Sequence, residues 1–286
     1  MKILPGWRAC LGGCALIMAS ANVGAEVVAD WLGVDQFEYP PATAYRIDSL
    51  ALRDPHVFFP VAPFGCFDFT DTPLPIVGIS FNGQLADALN GDENPADGLL
   101  DASSLLLFHP ASSTDGSLER LDQVAGACTA PAAGTACTDA MGAIPSTGNY
   151  LSSSQGACLE AIAGTTSGYT PGLPMMASPC WLTRASDMAL DAQGVSVPLA
   201  DGQQGGHWAS PAIDQGLLRG FLSETAAEQI MIPNPLPGQP PIILASLLPG
   251  GSGSCAGGDD RDINDGVSGW WFYLEFSAGV VPYVQP

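Results

Sequence analysis

Oxygen-bearing side chains crowd around a glycine in one short stretch of the sequence. Asp92, Asn94, Asp97 and Asp101 lie close to Gly98. Carboxylate and amide oxygens at such spacing suit a hard cation, because the glycine lets the chain turn sharply while the oxygens converge. The spacing therefore predicts a calcium site in this stretch, which we call the first acidic loop.

A second acidic stretch repeats the pattern of the first. Both 92–98 and 260–266 have an acid, then Asn or Asp two residues later, then Asp-Gly at the sixth and seventh places. Neither is an EF-hand, because the glycine falls one residue late and the twelfth position holds no glutamate. Asn, Asp and Gly also form turns without any ion, so a purely structural role stays open. The candidate ligands of this second acidic loop are Asp260, Asp262, Asn264 and Asp265.

The first acidic loop continues as Asp-Gly-Leu-Leu-Asp101. With one inserted residue, it resembles the Asp-x-Asn-x-Asp-Gly repeats of thrombospondin type 3 and dockerin modules. The similarity is confined to residues 92–101, and it implies calcium and nothing more about function.

Three histidines, His56, His109 and His207, are the side chains that could act as general bases near neutral pH. His207 lies between Gly205-Gly206 and Trp208, and His56 follows Asp54-Pro55. These two histidines are the candidates for catalysis. The nucleophile elbow Gly-x-Ser-x-Gly is absent from the sequence, as are phosphate-binding and dinucleotide-binding fingerprints. The sequence favours a binding or structural protein over an enzyme. The alternative is a secreted ester or glycoside hydrolase that uses His207 or acidic residues.

Adjacent tryptophans raise carbohydrate as a possible partner. Trp270 and Trp271 occupy neighbouring positions of a predicted strand, so their side chains point to opposite faces and at most one is free to stack on a sugar. A carbohydrate or a surface protein is therefore the expected partner class, and the sequence leaves the oligomeric state open.

The first 25 residues have the layout of a secretory signal peptide. Lys2 and Arg8 precede an apolar run, and small residues end at Ala25. Leu11-Gly-Gly-Cys14 resembles a lipidation box, which leaves a lipoprotein as an alternative, although the apolar core follows the cysteine instead of preceding it. No run is long and apolar enough for a membrane span. We expect a secreted, periplasmic or surface-exposed protein of residues 26–286.

Charge excludes several partners. Removal of the predicted signal peptide leaves 6 basic and 29 acidic residues, a formal charge of −23, and no lysine. Such a field repels nucleic acid and anionic lipid and attracts cations, and solubility in a salty medium is the alternative explanation of the same charge. With 47% hydrophobic residues, the chain can still build a full core.

Six cysteines remain after the signal peptide: Cys66, Cys128, Cys137, Cys158, Cys180 and Cys255. An even number in an exported chain predicts three disulfides. Short loops favour the pairs Cys128–Cys137 and Cys158–Cys180, and elimination then leaves Cys66–Cys255.

The elements that must position these residues are mainly strands. Alternating or apolar segments predict strands over 43–52, 57–59, 64–69, 105–108, 269–276 and 280–284, with 76–85 as the first strand of a hairpin around the first acidic loop. Helical spacing of leucines predicts one helix over 216–230. Residues 111–206, rich in Ala, Gly, Ser, Thr and Pro, are expected to form a disulfide-pinned insertion. The predicted fold is a single mainly β domain resembling a β-sandwich.

Four segments carry a wider resemblance. They are Asp-Gly-Leu-Leu-Asp101, Gly-Leu-Leu-Arg-Gly-Phe-Leu-Ser-Glu224, Leu-Pro-Gly-Gly-Ser-Gly-Ser-Cys255 and Gly-Trp-Trp-Phe-Tyr-Leu274. Together they are similar to a group of uncharacterised exported bacterial proteins. The resemblance implies export and a common fold, and it brings no activity with it.

Overall fold

The computed structural model describes residues 17–19 and 41–285, apart from 62, 64, 76, 157, 193–194 and 234–239. Most of the predicted signal peptide and the segment 26–40 therefore lie outside the described residues. The strands are β1 Ile17–Ala19, β2 Thr43–Asp54, β3 Phe58–Val61, β4 Gly65–Asp68, β5 Ser104–His109, β6 Leu118–Cys128, β7 Cys137–Asp139, β8 Ser146–Ser153, β9 Cys180–Thr183, β10 Ser186–Ala192, β11 Val195–Ala209, β12 Ala212–Ser223, β13 Met231–Ile232, β14 Ile242–Ile243, β15 Asp262–Asn264 and β16 Val267–Val280.

Two α-helices and one 3-10 helix complete the described elements. They are α1 Phe81–Asn90, α2 Glu224–Gln229 and the 3-10 helix Leu244–Leu247. None of the described helices is both long enough and apolar enough to cross a membrane.

Eight antiparallel strands close into a barrel. In chain order they are β2, β5, β6, β8, β9, β11, β12 and β16; each pairs with the next, and β16 returns to β2. The expectation of a mainly β fold is confirmed. The sheet does not divide into the two facing layers of a clear sandwich, because β9 pairs with β8 on one side and with β11 on the other and so closes the ring.

Aromatic side chains fill one part of the barrel. Phe108 lies at the centre of this group, with its ring 5.5 Å from Tyr45, 5.0 Å from Tyr150, 5.0 Å from Trp181 and 4.9 Å from Trp208. The four contacts are edge-to-face, an arrangement in which the positive edge of one ring meets the negative face of another. An eight-stranded barrel is narrow enough for side chains to fill, and here large rings fill it.

The predicted helix over 216–230 is wrong for its first half, which is strand β12. Leu218 and Leu222 belong to the main core, whereas Leu217 and Phe221 belong to a separate cluster on the other face of the strand. Because both faces are covered, apolar residues occur in adjacent pairs, and the pairs imitate helical spacing. The helix starts only after Ser223, whose side chain accepts a hydrogen bond from the Ala226 amide.

The predicted strand over 76–85 is also wrong. Helix α1 starts at Phe81, and Ser80 caps it by accepting a hydrogen bond from the Gly83 amide. Leu85 and Leu89 lie one turn apart and are both buried, which gives the helix an apolar face towards the core. The first acidic loop thus joins a helix to a strand and not two strands of a hairpin.

Helix α1 covers an unpaired part of strand β2. The amide of Leu52 donates to Asn82 Oδ1 at 2.8 Å, and Asn82 Nδ2 donates to the carbonyl of Leu52 at 2.9 Å. One side chain thereby satisfies both backbone groups that a neighbouring strand would otherwise pair.

Residues 111–206 are not an insertion outside the sheet. They supply the barrel strands β6, β8 and β9 and most of β11. The many small residues of this stretch weaken the hydrophobic alternation by which strands are recognised in a sequence.

All three expected disulfides form: Cys66–Cys255, Cys128–Cys137 and Cys158–Cys180. Strand β16, predicted as a central strand, lies between β12 and β2. Strand β1 falls inside the predicted signal peptide and pairs with the edge of β10, so cleavage after Ala25 would remove it.

Candidate functional site

The first acidic loop uses much of its oxygen chemistry internally. Asp97 accepts hydrogen bonds from Asn94 Nδ2 and from the Leu99 amide, each at 2.9 Å. Asp101 accepts a bond of 2.9 Å from the Glu93 amide. These are the bonds by which Asp and Asn stabilise turns. Asp92 differs, because its Oδ1 atom is buried and has no hydrogen-bond partner.

The structure separates the four candidate ligands of the second acidic loop. Asp265 and Gly266, with φ angles of +48° and +82°, form the two-residue turn between β15 and β16, as Asp-Gly does in tight hairpins. Asn264 donates to Asp201 at 2.8 Å. Asp260 and Asp262 instead lie near a third carboxyl, that of Asp54, which was not among the predicted ligands.

No group of three or more His, Cys, Asp or Glu side chains within the described ranges is arranged to hold a metal ion. Calcium binding at either loop therefore stays a prediction.

Asp54 and Asp260 share one hydroxyl group. Ser167 Oγ lies 3.5 Å from Asp54 Oδ1 and makes a shorter contact with Asp260 Oδ1. The Ser167 amide also donates to Asp54 Oδ2 at 2.8 Å, and the Tyr169 hydroxyl donates to Asp260 Oδ2 at 3.3 Å. We call Asp54, Asp260, Asp262, Ser167 and Tyr169 the carboxyl cluster.

Burial changes the acid strength of this cluster. Asp54, at the end of β2, is only 4% exposed, and this burial raises the pKa of its carboxyl to about 6 against the opposing hydrogen bonds from Ser167. Burial and the charge of Asp54 raise the pKa of Asp260 to about 7. Burial also raises the pKa of Asp262. Two neighbouring carboxyls with raised pKa values hold a proton between them near neutral pH.

His56, one of the two catalytic candidates, lies beside the carboxyl cluster. Its ring is 6% exposed and stacks on the Tyr169 ring with centroids 3.6 Å apart. Its Nδ1 atom lies 2.6 Å from Asp68 Oδ2. Although burial alone would raise the pKa of Asp68, the hydrogen bond with His56 holds it below its usual value. The imidazole is thus fixed in orientation on two sides.

His207, the other catalytic candidate, lies away from the carboxyl cluster on the β11–β12 ladder. Its Nδ1 atom is 2.6 Å from Asp214 Oδ1, and the two residues are paired across the ladder. Within the described chain no serine, threonine or cysteine is shown hydrogen-bonded to this ring. His109 has an acidic neighbour as well, Asp122, at 3.2 Å. All three histidines therefore form a His–Asp pair.

The two tryptophans proposed for sugar stacking are both buried. Trp270 is 0% exposed and donates from Nε1 to the Pro249 carbonyl, and Trp271 is 5% exposed and packs on Phe221. The sequence left at most one of the two free to stack on a sugar, and in the structure neither is, because both faces of β16 are covered.

The carboxyl cluster assembles from three distant parts of the chain, which is why sequence spacing missed Asp54, Ser167 and Tyr169. One signal was present: Asp54 is the polar last residue of the buried strand β2, and His56 follows it by two residues. Chemically, a carboxyl pair with one shared proton can hold two segments together, or it can donate and accept protons.

We expect the carboxyl pair to make the protein less stable as pH rises. Because the folded pKa values exceed those of the unfolded chain, the folded state retains a proton that the unfolded state releases. The stabilisation is full below about pH 4 and is lost as pH rises through about 6 to 7. The urea midpoint should fall over this interval, and Asp260→Asn should flatten the fall.

Asp259→Asn is the matched control for this measurement. Hydrogen bonds from Arg261 already lower the pKa of the exposed Asp259 to about 2, so it does not titrate in the interval. An Asp260→Asn protein with the same pH slope as the wild type would contradict the assignment.

Comparisons with protein-family models, with curated proteins and with solved structures find no match to this chain. The resemblances to calcium repeats and to exported bacterial proteins therefore stay predictions. Function has to be inferred from the barrel, its disulfides and the carboxyl cluster.

Proposed function

We propose that this protein is exported and acts outside the cytoplasm as a disulfide-braced structural or binding protein. One observation carries the proposal: three disulfides cross-link the described chain. Cys158–Cys180 closes the segment that covers β12 and β16, Cys128–Cys137 joins β6 to β7, and Cys66–Cys255 ties β4 to the loop before β15. Such bonds persist in oxidising compartments and are reduced in the cytoplasm.

Charge supports a partner that is neutral or basic. The full chain has a formal charge of −21, and its one lysine lies in the predicted signal peptide. An acidic surface of this kind repels nucleic acid and other polyanions and attracts basic patches. A surface protein with a basic face fits this charge, whereas sugar stacking loses its support because Trp270 and Trp271 are buried.

Export and oxidation are tested together by mass spectrometry of the exported protein. We expect an intact mass that corresponds to residues 26–286, and cysteines that react with an alkylating reagent only after reduction. Ala25→Arg should block cleavage, because the cleavage site requires a small residue. A full-length product with freely reactive thiols would contradict the proposal.

Calcium is proposed as a stabilising ion at the first acidic loop. Support comes from Asp92, whose buried Oδ1 atom lacks a hydrogen-bond partner in the described structure, and from the acidic residues Asp97 and Asp101 further along the same loop in sequence. A cation would satisfy the Asp92 oxygen and neutralise a local excess of negative charge.

If calcium binds there, it should raise the melting temperature, and EDTA should reverse the effect. At a calcium concentration 100 times Kd, the linked stabilisation is about 2.7 kcal/mol. Asp92→Asn should weaken the response, whereas Asp115→Asn, far from the loop in sequence, should leave it unchanged. An identical melting curve in calcium and in EDTA would remove calcium from the proposal.

The carboxyl cluster favours one second candidate, an acid–base hydrolase of esters or glycosides. Asp260 is half-buried, so solvent can reach it, and it shares a proton with Asp54. One carboxylate could take a proton from an attacking water while the protonated partner donates to the leaving oxygen.

A panel of ester and glycoside substrates separates the two functions. The hydrolase candidate requires turnover that Asp260→Asn abolishes and that Asp259→Asn and His207→Ala preserve. Turnover that is lost in His207→Ala but kept in Asp260→Asn would assign the activity to His207. Absence of turnover in the wild type would reject the hydrolase.

A further inference from the structure

We propose that a small cavity on the outer face of the barrel binds a small zwitterion, a molecule that carries both an ammonium and a carboxylate group, as a free amino acid does. The cavity has a volume of about 230 Å³ and lies where strands β2 and β16 meet the loop between β6 and β7. We call it the Arg46 cavity. The inference is independent of the proposed calcium site and of the hydrolase candidate, because it uses none of their residues.

Arg46 provides a buried positive charge. Its neighbours in β2, Tyr45 and Ile47, belong to the main core, so the alternation of side chains places Arg46 on the opposite, outer face. The residue is only 4% exposed. Its Nη1 atom donates to the Leu89 carbonyl at 2.9 Å, and its Nη2 atom donates to Asn90 Oδ1 at 3.2 Å. Because both acceptors are neutral, the charge of the guanidinium is available to the carboxylate of a ligand.

Asp48 provides a negative charge close to Arg46. Its neighbours Ile47 and Ser49 pair with two consecutive residues of β16, so Asp48 is an extra residue in a β-bulge. The bulge directs its side chain towards β16, where Asp48 Oδ1 accepts a hydrogen bond from Ser277 Oγ. Burial lowers the pKa of the Arg46 guanidinium, and the charge of Asp48 acts against this effect, so the two charges lie near each other.

Gly279 leaves space open beside the two charges. It pairs with Arg46 across the ladder between β2 and β16, and it places no side chain opposite that residue. A Cβ atom added at Gly279 would lie 3.4 Å from Asp48 Oδ2, so a longer side chain would enter the cavity. The glycine therefore keeps the cavity open next to a carboxylate oxygen.

Thr135 adds a hydroxyl group that the protein does not satisfy. The residue lines the Arg46 cavity and is 4% exposed. Its Oγ1 atom is buried and has no hydrogen-bond partner within the described structure. A buried polar group without a partner destabilises the folded state, and a ligand that supplies the partner removes this cost. We infer that the Thr135 hydroxyl donates to the carboxylate of the ligand.

The walls of the cavity are fixed before any ligand binds. The loop 129–136, which carries Thr135, is closed by the disulfide Cys128–Cys137. The Cys137 amide donates to the Pro282 carbonyl at 2.9 Å, and this bond ties the loop to the segment that follows β16. A preformed site of this kind spends little free energy on ordering its own chain when a ligand binds.

Charge and size decide the class of ligand. Asp48 repels a simple anion and Arg46 repels a simple cation, whereas a molecule with both charges interacts favourably with both residues. The volume is below the value of about 300 Å³ at which typical sites for drug-sized ligands begin, so the ligand is small. Val281 and Pro282 also line the cavity and offer contacts to an aliphatic group. A small aliphatic amino acid fits these conditions.

Three ligands with one shared aliphatic skeleton test the charge requirement by calorimetric titration of the intact, oxidised protein. Valine carries both charges, isovalerate lacks the ammonium group, and isobutylamine lacks the carboxylate. Loss of a hydrogen bond to a charged group weakens binding by about tenfold or more. We therefore expect valine to bind at least about tenfold more tightly than either analogue. Glycine, alanine and leucine, titrated in parallel, test the fit of the side chain.

Variants identify the groups responsible. Thr135→Val keeps the shape and removes the hydroxyl, so it should weaken valine binding by at least about tenfold. Its melting temperature should stay the same or rise, because Thr135 Oγ1 has no hydrogen-bond partner in the protein. Asp48→Asn should weaken valine binding to a similar extent, whereas Asp187→Asn, exposed on β10, should bind valine as the wild type does. Gly279→Val should fill the cavity and abolish binding.

Three results would overturn the proposal. They are the absence of binding for all four amino acids, an isovalerate or isobutylamine affinity equal to that of valine, and wild-type affinity for valine in both Thr135→Val and Asp48→Asn. Equal binding of isovalerate would indicate a site for anions, and equal binding of isobutylamine a site for cations. The ligand series uses the wild type, so it decides the matter even if Asp48→Asn does not fold.

Discussion

The hydrogen-bonded closure of the eight-stranded sheet is the constraint on which the rest of the structure depends. Once β9 pairs with both β8 and β11, every barrel strand has an inner and an outer face, and each face needs its own cover. The inner face is filled by side chains of the strands themselves, with Phe108 at the centre of the ring contacts. The outer face is covered by segments that connect the strands.

One covering segment, residues 158–180, is poor in regular structure and is closed by a disulfide. Residues 158–180 bury Leu217, Phe221 and Trp271 but contain no helix or strand among the described residues before Cys180, so their own backbone bonds contribute little. The disulfide at the ends of this segment limits the conformations open to the unfolded chain. Helix α1 covers the edge of β2 without a disulfide, because the Asn82 side chain makes the two backbone hydrogen bonds to Leu52 that a neighbouring strand would make.

The carboxyl cluster lies where three of these segments meet. A protein with one lysine and seven arginines in 286 residues has few cations to place beside buried acids. Asp54 and Asp260 are therefore stabilised by hydroxyl and amide donors and by a retained proton, and not by an ion pair. Since burial raises the pKa of both carboxyls towards neutrality, the charge at this meeting point of three segments changes with pH.

The sequence by itself determined the composition-level facts. Six cysteines and short spacing gave the three disulfides, and β-branched and aromatic content identified β16 as a central strand. Local spacing of apolar residues predicted the wrong element where a helix and a strand produce a similar pattern. The paired leucines of β12 resemble a helix because both faces of that strand are covered, and the alternation around Phe81 was too short to outweigh the capping of α1 by Ser80.

Only the tertiary structure decided the closure of the barrel and the location of the carboxyl cluster. Barrel closure depends on a pairing between β9 and β11, and the pattern within either strand does not specify its partner. Asp260 was a candidate from its spacing, but Asp54, whose charge adds to burial in raising the pKa of Asp260, is about two hundred residues away in the chain. A pKa depends on burial and on neighbours in space, and neither is encoded in local sequence.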